Sequence, residues 1–299
     1  VNKQELKQLV ENHGLFILEE SVQMNESGVD FQVAHAKDTG GEPWIIRIPR
    51  RKESMRNAKV EKQALDVLER TVNFQVPTWS IFSEEVIAYK QLKGSPAAAI
   101  DLEQLGYKWS FDEKNVPKEY IQSLGSVMAN LHTVEPKEFK GIPMEILTVQ
   151  DLKTSMKQRM ERVKESYEIH PDLWERWQVW LGKDFWPSFV GVKHGDLHPA
   201  HILLNDEHHV TGLIDWTEIG IGDSSVDFMS HLLLFGDGGL KKLIDAYDNA
   251  GGRTWSGMED HIKELLSTSA ITVAEYAQVS GLQEMHETAK SMLSQRGDS

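Results

Sequence analysis

Three histidines and one aspartate fall within eight residues at His194-Gly195-Asp196-Leu197-His198-Pro199-Ala200-His201, between the apolar runs Val190-Gly191-Val192 and Ile202-Leu203-Leu204. Two kinds of chemistry use such a cluster. In a metallohydrolase the histidines hold zinc, singly or as a dinuclear pair. In a phosphotransferase the aspartate takes the proton of an attacking hydroxyl while a residue five positions later binds magnesium, and five positions after Asp196 stands His201. The second chemistry asks for one more group, a metal-binding aspartate at the end of the next strand. Val210-Thr211-Gly212-Leu213-Ile214-Asp215-Trp216 supplies it nineteen positions after Asp196, with Asn205 to His209 as the intervening hairpin turn. A strand-turn-strand of this length brings Asp215 back beside the loop at 196–201. A zinc site built from His194, His198 and His201 needs no such partner.

Those residues need elements to carry them, and the pattern of the chain changes near residue 93. Before it, the β-rich runs Phe31 to Ala36, Trp44 to Ile48 and Val86 to Tyr89 are separated by turn signals such as Asp38-Thr39-Gly40-Gly41, which predicts antiparallel strands. One helix interrupts them over Ala58 to Arg70. There Val60, Ala64, Val67 and Leu68 recur at helical spacing, and Glu61 shares a stripe with Leu65 and Leu68 that aims it at the sheet. After Lys93-Gly94-Ser95-Pro96 the helical period dominates, with Ile121, Leu124, Val127, Met128 and Leu131 forming one apolar face over Glu119 to His132. Further helices are predicted over 151–168, over 173–186 with Asp172 as N-cap and Glu175 three positions on, and over 225–235, 239–249 and 258–293. Trp174, Trp177, Leu181 and Phe185 sit at helical spacing and read as packing. The expected organisation is a strand-rich nucleotide-binding lobe at 1–92, a linker and lobe start at 93–118, and a helical lobe at 119–299. A cleft between lobes is the default place for a ligand.

Composition narrows the function classes. The 299 residues include no cysteine, which excludes a disulfide framework, thiolate zinc sites and cysteine nucleophiles. Acidic side chains number 46 against 32 basic, and the net charge of −14 repels nucleic acid and anionic lipid. It suits solubility or a cationic small substrate. No apolar run approaches the roughly eighteen residues needed to span a bilayer. The expectation is a cytoplasmic monomer that engages neither nucleic acid nor membrane.

The phrase His194-Gly195-Asp196-Leu197-His198-Pro199-x-His201, the later Ile214-Asp215-Trp216 and the tail Gly222-Asp223-Ser224-Ser225-Val226-Asp227-Phe228 together resemble the aminoglycoside phosphotransferase and kinase-like superfamily. The closer resemblance is to the macrolide 2′-phosphotransferases, in which histidine replaces the usual asparagine of the loop. It continues at Asn25 to Phe31, at Arg47-Ile48-Pro49-Arg50-Arg51 and at Val279-Ser280-Gly281-Leu282. The resemblance implies an α+β, bilobal, protein-kinase-like fold, with a small antiparallel-sheet N-lobe carrying one key helix and a larger, mainly helical C-lobe. It also implies roles. Asp196 is the catalytic base, and His201 and Asp215 are ligands for Mg2+. Arg47 takes the place of the strand lysine that contacts the donor phosphates and pairs with a helix glutamate, here Glu61. An arginine fork can hold phosphate and glutamate together. Ser27 and Gly28 offer backbone donors to the phosphates, although their loop lacks the G-x-G-x-x-G pattern. The hinge Ala88-Tyr89-Lys90-Gln91-Leu92 reads the purine edge, with Ala88, Tyr89 and Leu92 contacting the base, and His194 buttresses the loop. The implied donor is GTP, with ATP open.

A macrolide is a large apolar ring bearing an amino sugar, so its site needs an apolar wall and an acidic group near the dimethylammonium. Ala274, Ala277 and Tyr276 on the predicted helix 271–282 offer the wall, and Asp227 the acid. A polycationic aminoglycoside would instead want clustered carboxylates, which Asp260, Glu264, Glu275 and Glu284 could supply. The implied activity is transfer of the γ-phosphate of GTP to the 2′-hydroxyl of a macrolide, inactivating the antibiotic. The alternatives are an aminoglycoside or other small-molecule kinase, a metal-dependent hydrolase and a kinase-like binding module without catalysis.

Overall fold

The β-branched and aromatic runs form the expected strands in the computed structural model, which describes residues 1–25, 30–101, 106–182 and 185–295. In chain order, helix α1 (Lys3–Glu11) precedes strands β1 (Gln23–Asn25), β2 (Phe31–Lys37) and β3 (Pro43–Pro49), helix α2 (Ser54–Thr71), and strands β4 (Trp79–Phe82), β5 (Ile87–Lys90), β6 (Ser95–Pro96), β7 (Ala98–Asp101) and β8 (Gly106–Trp109). Then follow α3 (Lys118–His132), α4 (Val149–Ser166), α5 (Pro171–Gly182), β9 (Gly191–Lys193), β10 (Ile202–Leu204), β11 (Val210–Leu213), β12 (Gly220–Gly222), α6 (Met229–Asn249), α7 (Met258–Ser267), α8 (Ser269–Ser280) and α9 (Gln283–Leu293). No helix among the described residues is long and apolar enough to cross a membrane.

Two compact units result. The first comprises residues 1–120, 137–144 and 199–219. Its main sheet has the order β1-β2-β3-β5-β4, antiparallel throughout, with Val33, Arg47 and Ile87 in register across three strands. Because side chains alternate along a strand, Ala34, Ile46 and Ile48 bury one face against Leu6 and Val10 of α1, while Arg47 on the other meets Glu61 of α2. A capping box between Asn2 and Glu5 starts α1, a helix not expected from the sequence. The segment 93–118, expected as a linker and the start of the helical lobe, holds β6, the hairpin β7–β8 and the first residue of α3. It and the 199–219 segment both group with this unit. There β10 pairs with β11 and with β6. The hairpin turn is held by Asn205, whose Oδ1 accepts the backbone N–H groups of Glu207 at 3.1 Å and His209 at 2.9 Å.

The second unit, residues 121–136, 145–198 and 220–299, is mainly helical. Its core joins Met160 and Val163 of α4, Trp177 and Trp180 of α5, Ile271 and Ala274 of α8, and Ala289 and Leu293 of α9. The tryptophan stripe is indeed packing. Asp172 is not the N-cap of α5: the helix begins at Pro171, and the His170 ring accepts the Asp172 N–H at 3.2 Å. Proline suits that first position because its missing N–H would have no helical partner. The predicted helices 225–235 and 239–249 form a 3-10 turn at Ser224–Phe228 followed by α6, which is broken at Gly236 (φ 63°). The predicted run 258–293 is three helices, and α8 ends on a left-handed Gly281.

Candidate functional site

Within the first unit a cavity of about 500 Å³ is lined by Arg47, Tyr89 and Leu92 together with His201 and Asp215. Apolar walls come from Phe31, Val33 and Ile45 of the main sheet and from Leu203 and Ile214 of the hairpin segment. Arg47 Nη1 donates to Glu61 Oε1 at 2.8 Å, with Arg47 8% and Glu61 3% exposed. The guanidinium carbon lies 4.3 Å from the centre of the Phe31 ring and 5.4 Å from that of Trp79. Burial works against the cation, but the Glu61 carboxylate outweighs it and holds the Arg47 pKa up. Burial also lifts the Glu61 carboxyl above the usual carboxylate range, with Arg47 opposing, and pushes the Tyr89 hydroxyl up to about 12.

Asp215 is carried at the end of the β10–β11 hairpin segment. Its backbone is left-handed at φ 63°, a conformation that costs an L-residue about 1–2 kcal/mol, and Thr217 Oγ1 donates to its Oδ1 at 3.0 Å. Its Oδ2 lies 3.6 Å from His201 Nε2. Cis ligands of an octahedral cation at 2.0–2.1 Å stand about 3 Å apart, so a small closure would let this oxygen and nitrogen share one ion. The next residue, Trp216, is fully buried, and its backbone N–H reaches Glu61. Behind the hairpin, Gln75 O accepts from Leu213 N at 3.1 Å and Gln75 N donates to Thr211 O at 3.0 Å. A Cβ on Gly212 would stand 2.7 Å from Gln75 O, so the residue must be glycine.

The loop around Asp196 belongs to the second unit and is held from inside. Asp227 Oδ2 accepts the His194 N–H and Oδ1 the Gly195 N–H, both at 2.8 Å, while His132 Nε2 lies 3.0 Å from Oδ2. Burial would raise the Asp227 pKa, but His132, His194 and the Gly195 N–H hold it below the usual range. Gly195 has φ 90°, which only glycine adopts without strain. The His194 ring is fully buried and its Nδ1 accepts the Asp196 N–H at 3.3 Å. That geometry gives it a buttressing position and removes it from any zinc site. Asp196 is exposed.

Several sequence expectations change. Asp227, expected beside the substrate, is 2% exposed with its oxygens facing backbone N–H groups, so it holds the loop. Ala274 and Ala277 are fully buried, their small size letting helices approach closely; Tyr276 is 55% exposed. Ala88, expected at the purine, is a fully buried central-strand residue flanked by Ile46 and Ile81. Ser27 and Gly28 lie outside the described residues. Sequence reasoning missed Gln75, Thr217 and His132. A histidine ending an apolar helix was the one visible signal.

Residues 21–261 match the phosphotransferase enzyme family. An uncharacterized protein, YcbJ of Bacillus subtilis (strain 168), is 38% identical over 274 residues, covering 91% of this chain and 90% of its own. Among solved structures, the macrolide 2′-phosphotransferase MphH from Brachybacterium faecium, as apoenzyme, is 34% identical with a TM-score of 0.88, over 97% of both chains. A macrolide 2′-phosphotransferase type I is 33% identical with a TM-score of 0.84, over 98% of this chain and 96% of that one. The antiparallel-sheet lobe and the helical lobe are those of the kinase-like fold. With its fold, its loop and its cavity accounted for, the chain belongs to the phosphotransferase enzyme family.

Proposed function

We propose that the protein transfers the γ-phosphate of GTP to the 2′-hydroxyl of a macrolide's amino sugar, with ATP as the alternative donor. The cavity that gathers Arg47, Tyr89, Leu92, His201 and Asp215 is the observation that carries the reading. Arg47, oriented by Glu61, binds the donor phosphates. Tyr89 and Leu92, with the apolar walls, enclose the base, and the exposed Asp196 accepts the hydroxyl proton as the new O–P bond forms. His201 and Asp215 would hold Mg2+, which when bound neutralises charge on the phosphates. The pair suits a divalent cation, although an imidazole is a less usual partner for magnesium than oxygen. We place the protein in the cytoplasm, where nucleoside triphosphate is available, and expect a monomer.

The acceptor class rests on two supports. Two structures at 33–34% identity are macrolide 2′-phosphotransferases. The carboxylates that an aminoglycoside would want are partly spent: Glu275 is held by Arg159 at 2.7 Å and Arg162 at 3.5 Å, and Glu264 by Arg176 at 2.8 Å. With Ala274 and Ala277 buried, the apolar wall falls to the exposed Tyr276, Val279 and Leu282. Incubation with magnesium, GTP or ATP, and erythromycin, kanamycin or no acceptor, followed by mass spectrometry, tests donor and acceptor together. A phosphoryl gain on kanamycin alone removes the macrolide, and an ATP preference of about tenfold or more in kcat/KM, about 1.4 kcal/mol, removes GTP.

A further inference from the structure

The geometry points to His132, backed by Tyr247, as a positioning residue that sets the catalytic loop through Asp227; the inference rests on the reading of Asp196 as the base. Four groups form one directed hydrogen-bond chain. The Arg253 backbone N–H donates to Tyr247 Oη at 3.3 Å, leaving that hydroxyl's proton for His132 Nδ1 at 3.2 Å. With Nδ1 accepting, the neutral imidazole carries its proton on Nε2, which faces Asp227 Oδ2 at 3.0 Å. Asp227 in turn holds the backbones of His194 and Gly195, both at 2.8 Å, immediately before Asp196.

None of these side chains reaches solvent. His132 is 2% exposed, Asp227 2% and Tyr247 1%. The tautomer is therefore fixed by partners and not by water. The rings also fix each other: Phe228 meets Tyr247 edge-on at 5.2 Å, and the His132 and Tyr247 centroids are 5.5 Å apart. The close passage of the chain beside His132 adds a constraint, since a Cβ on Gly191 would stand 3.0 Å from the His132 carbonyl oxygen. If His132 no longer donates, Asp227 Oδ2 keeps one donor, the His194 N–H, and the carboxylate can turn. A turned carboxylate shifts Gly195 and the base after it. Asp227 is already assigned to the loop; the new element is that a histidine from α3 and a tyrosine from α6 determine how that aspartate points.

Three variants test the chain: His132→Leu removes the donor, His132→Gln keeps an N–H at the reach of Nε2, and Tyr247→Phe removes one hydroxyl. Each is measured for kcat and KM of transfer, for nucleotide affinity by titration calorimetry and for thermal unfolding. For His132→Leu the expected loss in kcat is on the order of ten- to a hundredfold, as for a misplaced group, with nucleotide affinity within about twofold of the parent. His132→Gln should recover most of that loss, and Tyr247→Phe should lower kcat several-fold. A folded His132→Leu that keeps parental kcat overturns the proposal, as does one that loses nucleotide affinity in proportion to rate, or a Gln variant no better than Leu. Should His132→Leu fail to fold, Tyr247→Phe decides, and unchanged kcat there overturns the proposal. Asp196→Asn is the separate control: if it still transfers phosphate, the assignment of the base falls, whatever His132 does.

Discussion

The ion pair between Arg47 and Glu61 yields a prediction in which the two partners, removed in turn, behave differently with pH. Glu61→Ala leaves a guanidinium whose side chain is only 10% exposed without its carboxylate. Removing one partner of a buried pair costs about 3–5 kcal/mol. Two features reduce that here: Arg47 borders the cavity, so water can reach it, and the Phe31 ring at 4.3 Å offsets about 0.5–2 kcal/mol as a cation–π partner. The expected loss is about 2–3 kcal/mol, and about 1–2 kcal/mol for Glu61→Gln, which keeps an acceptor. Arg47→Met instead strands a carboxyl that burial already pushes up, and without the cation opposing it that rise grows. A carboxyl with a folded pKa above its unfolded value near ~4.3 binds its proton more tightly when folded. Its penalty is therefore absent at low pH and grows as pH rises through that window. Arg47→Met should lose less stability at pH ~5 than at pH ~7, while the Glu61→Ala loss should shrink over the same rise, because that variant no longer carries the parent's raised carboxyl. Urea unfolding of both variants and the parent at the two pH values measures this. A Glu61→Ala loss under about 1 kcal/mol, or an Arg47→Met loss that does not change with pH, would refute the reasoning.

Three further outcomes are expected. Asp215→Ala should lower transfer rate and remove the magnesium-dependent part of nucleotide affinity, which calorimetry with and without the ion reads directly. His201→Asn should keep measurable activity, because an amide oxygen is a ligand that magnesium favours, whereas His201→Ala should lose most of it; a fully active Ala variant would remove His201 from the metal. Burial of His231 on α6 pushes its pKa down to about 4, so the unfolded chain takes that proton first as pH falls. Stability should then be full above pH ~6.5 and decline by ~1.4 kcal/mol per unit towards pH 4, about 3 kcal/mol in total, and His231→Leu should abolish that share of the slope in urea unfolding.

What the sequence disclosed followed from how local each signal is. Arg47 and Tyr89 lie on β-rich runs and took their roles from the family resemblance, whereas His201 and Asp215 flank one hairpin, so spacing alone placed those two near each other. Ala274 and Ala277 carried no such information, because a small-residue face suits a broad ligand and a close helix contact equally. The α1 capping box, Asn2 with Glu5, was legible and lost in a charged stretch. The interruption predicted between 235 and 239 coincides with the non-helical Gly236, but the division of 258–293 into three helices turns on Thr268 and Gly281, which weaken a helical pattern without erasing it.

Four aspartates of the motifs show why residue type could not assign role. Asp223 and Asp227 are 3% and 2% exposed, and each is tied to a histidine: His261 Nε2 at 2.6 Å and His132 Nε2 at 3.0 Å. Trp180 Nε1 donates to His261 Nδ1 at 3.0 Å, which leaves the His261 proton on Nε2, directed at Asp223. Burial raises both carboxyls, yet these hydrogen bonds hold both below the usual range. They stay ionised and enclosed, and a substrate hydroxyl has no route to either. Asp215 is exposed, but its left-handed backbone and the Thr217 hydrogen bond leave its other oxygen 3.6 Å from His201, which supports the proposed metal role and not that of a base. That leaves Asp196, exposed and following a loop pinned by two backbone hydrogen bonds, as the carboxylate whose access and fixed backbone support its proposed role as proton acceptor.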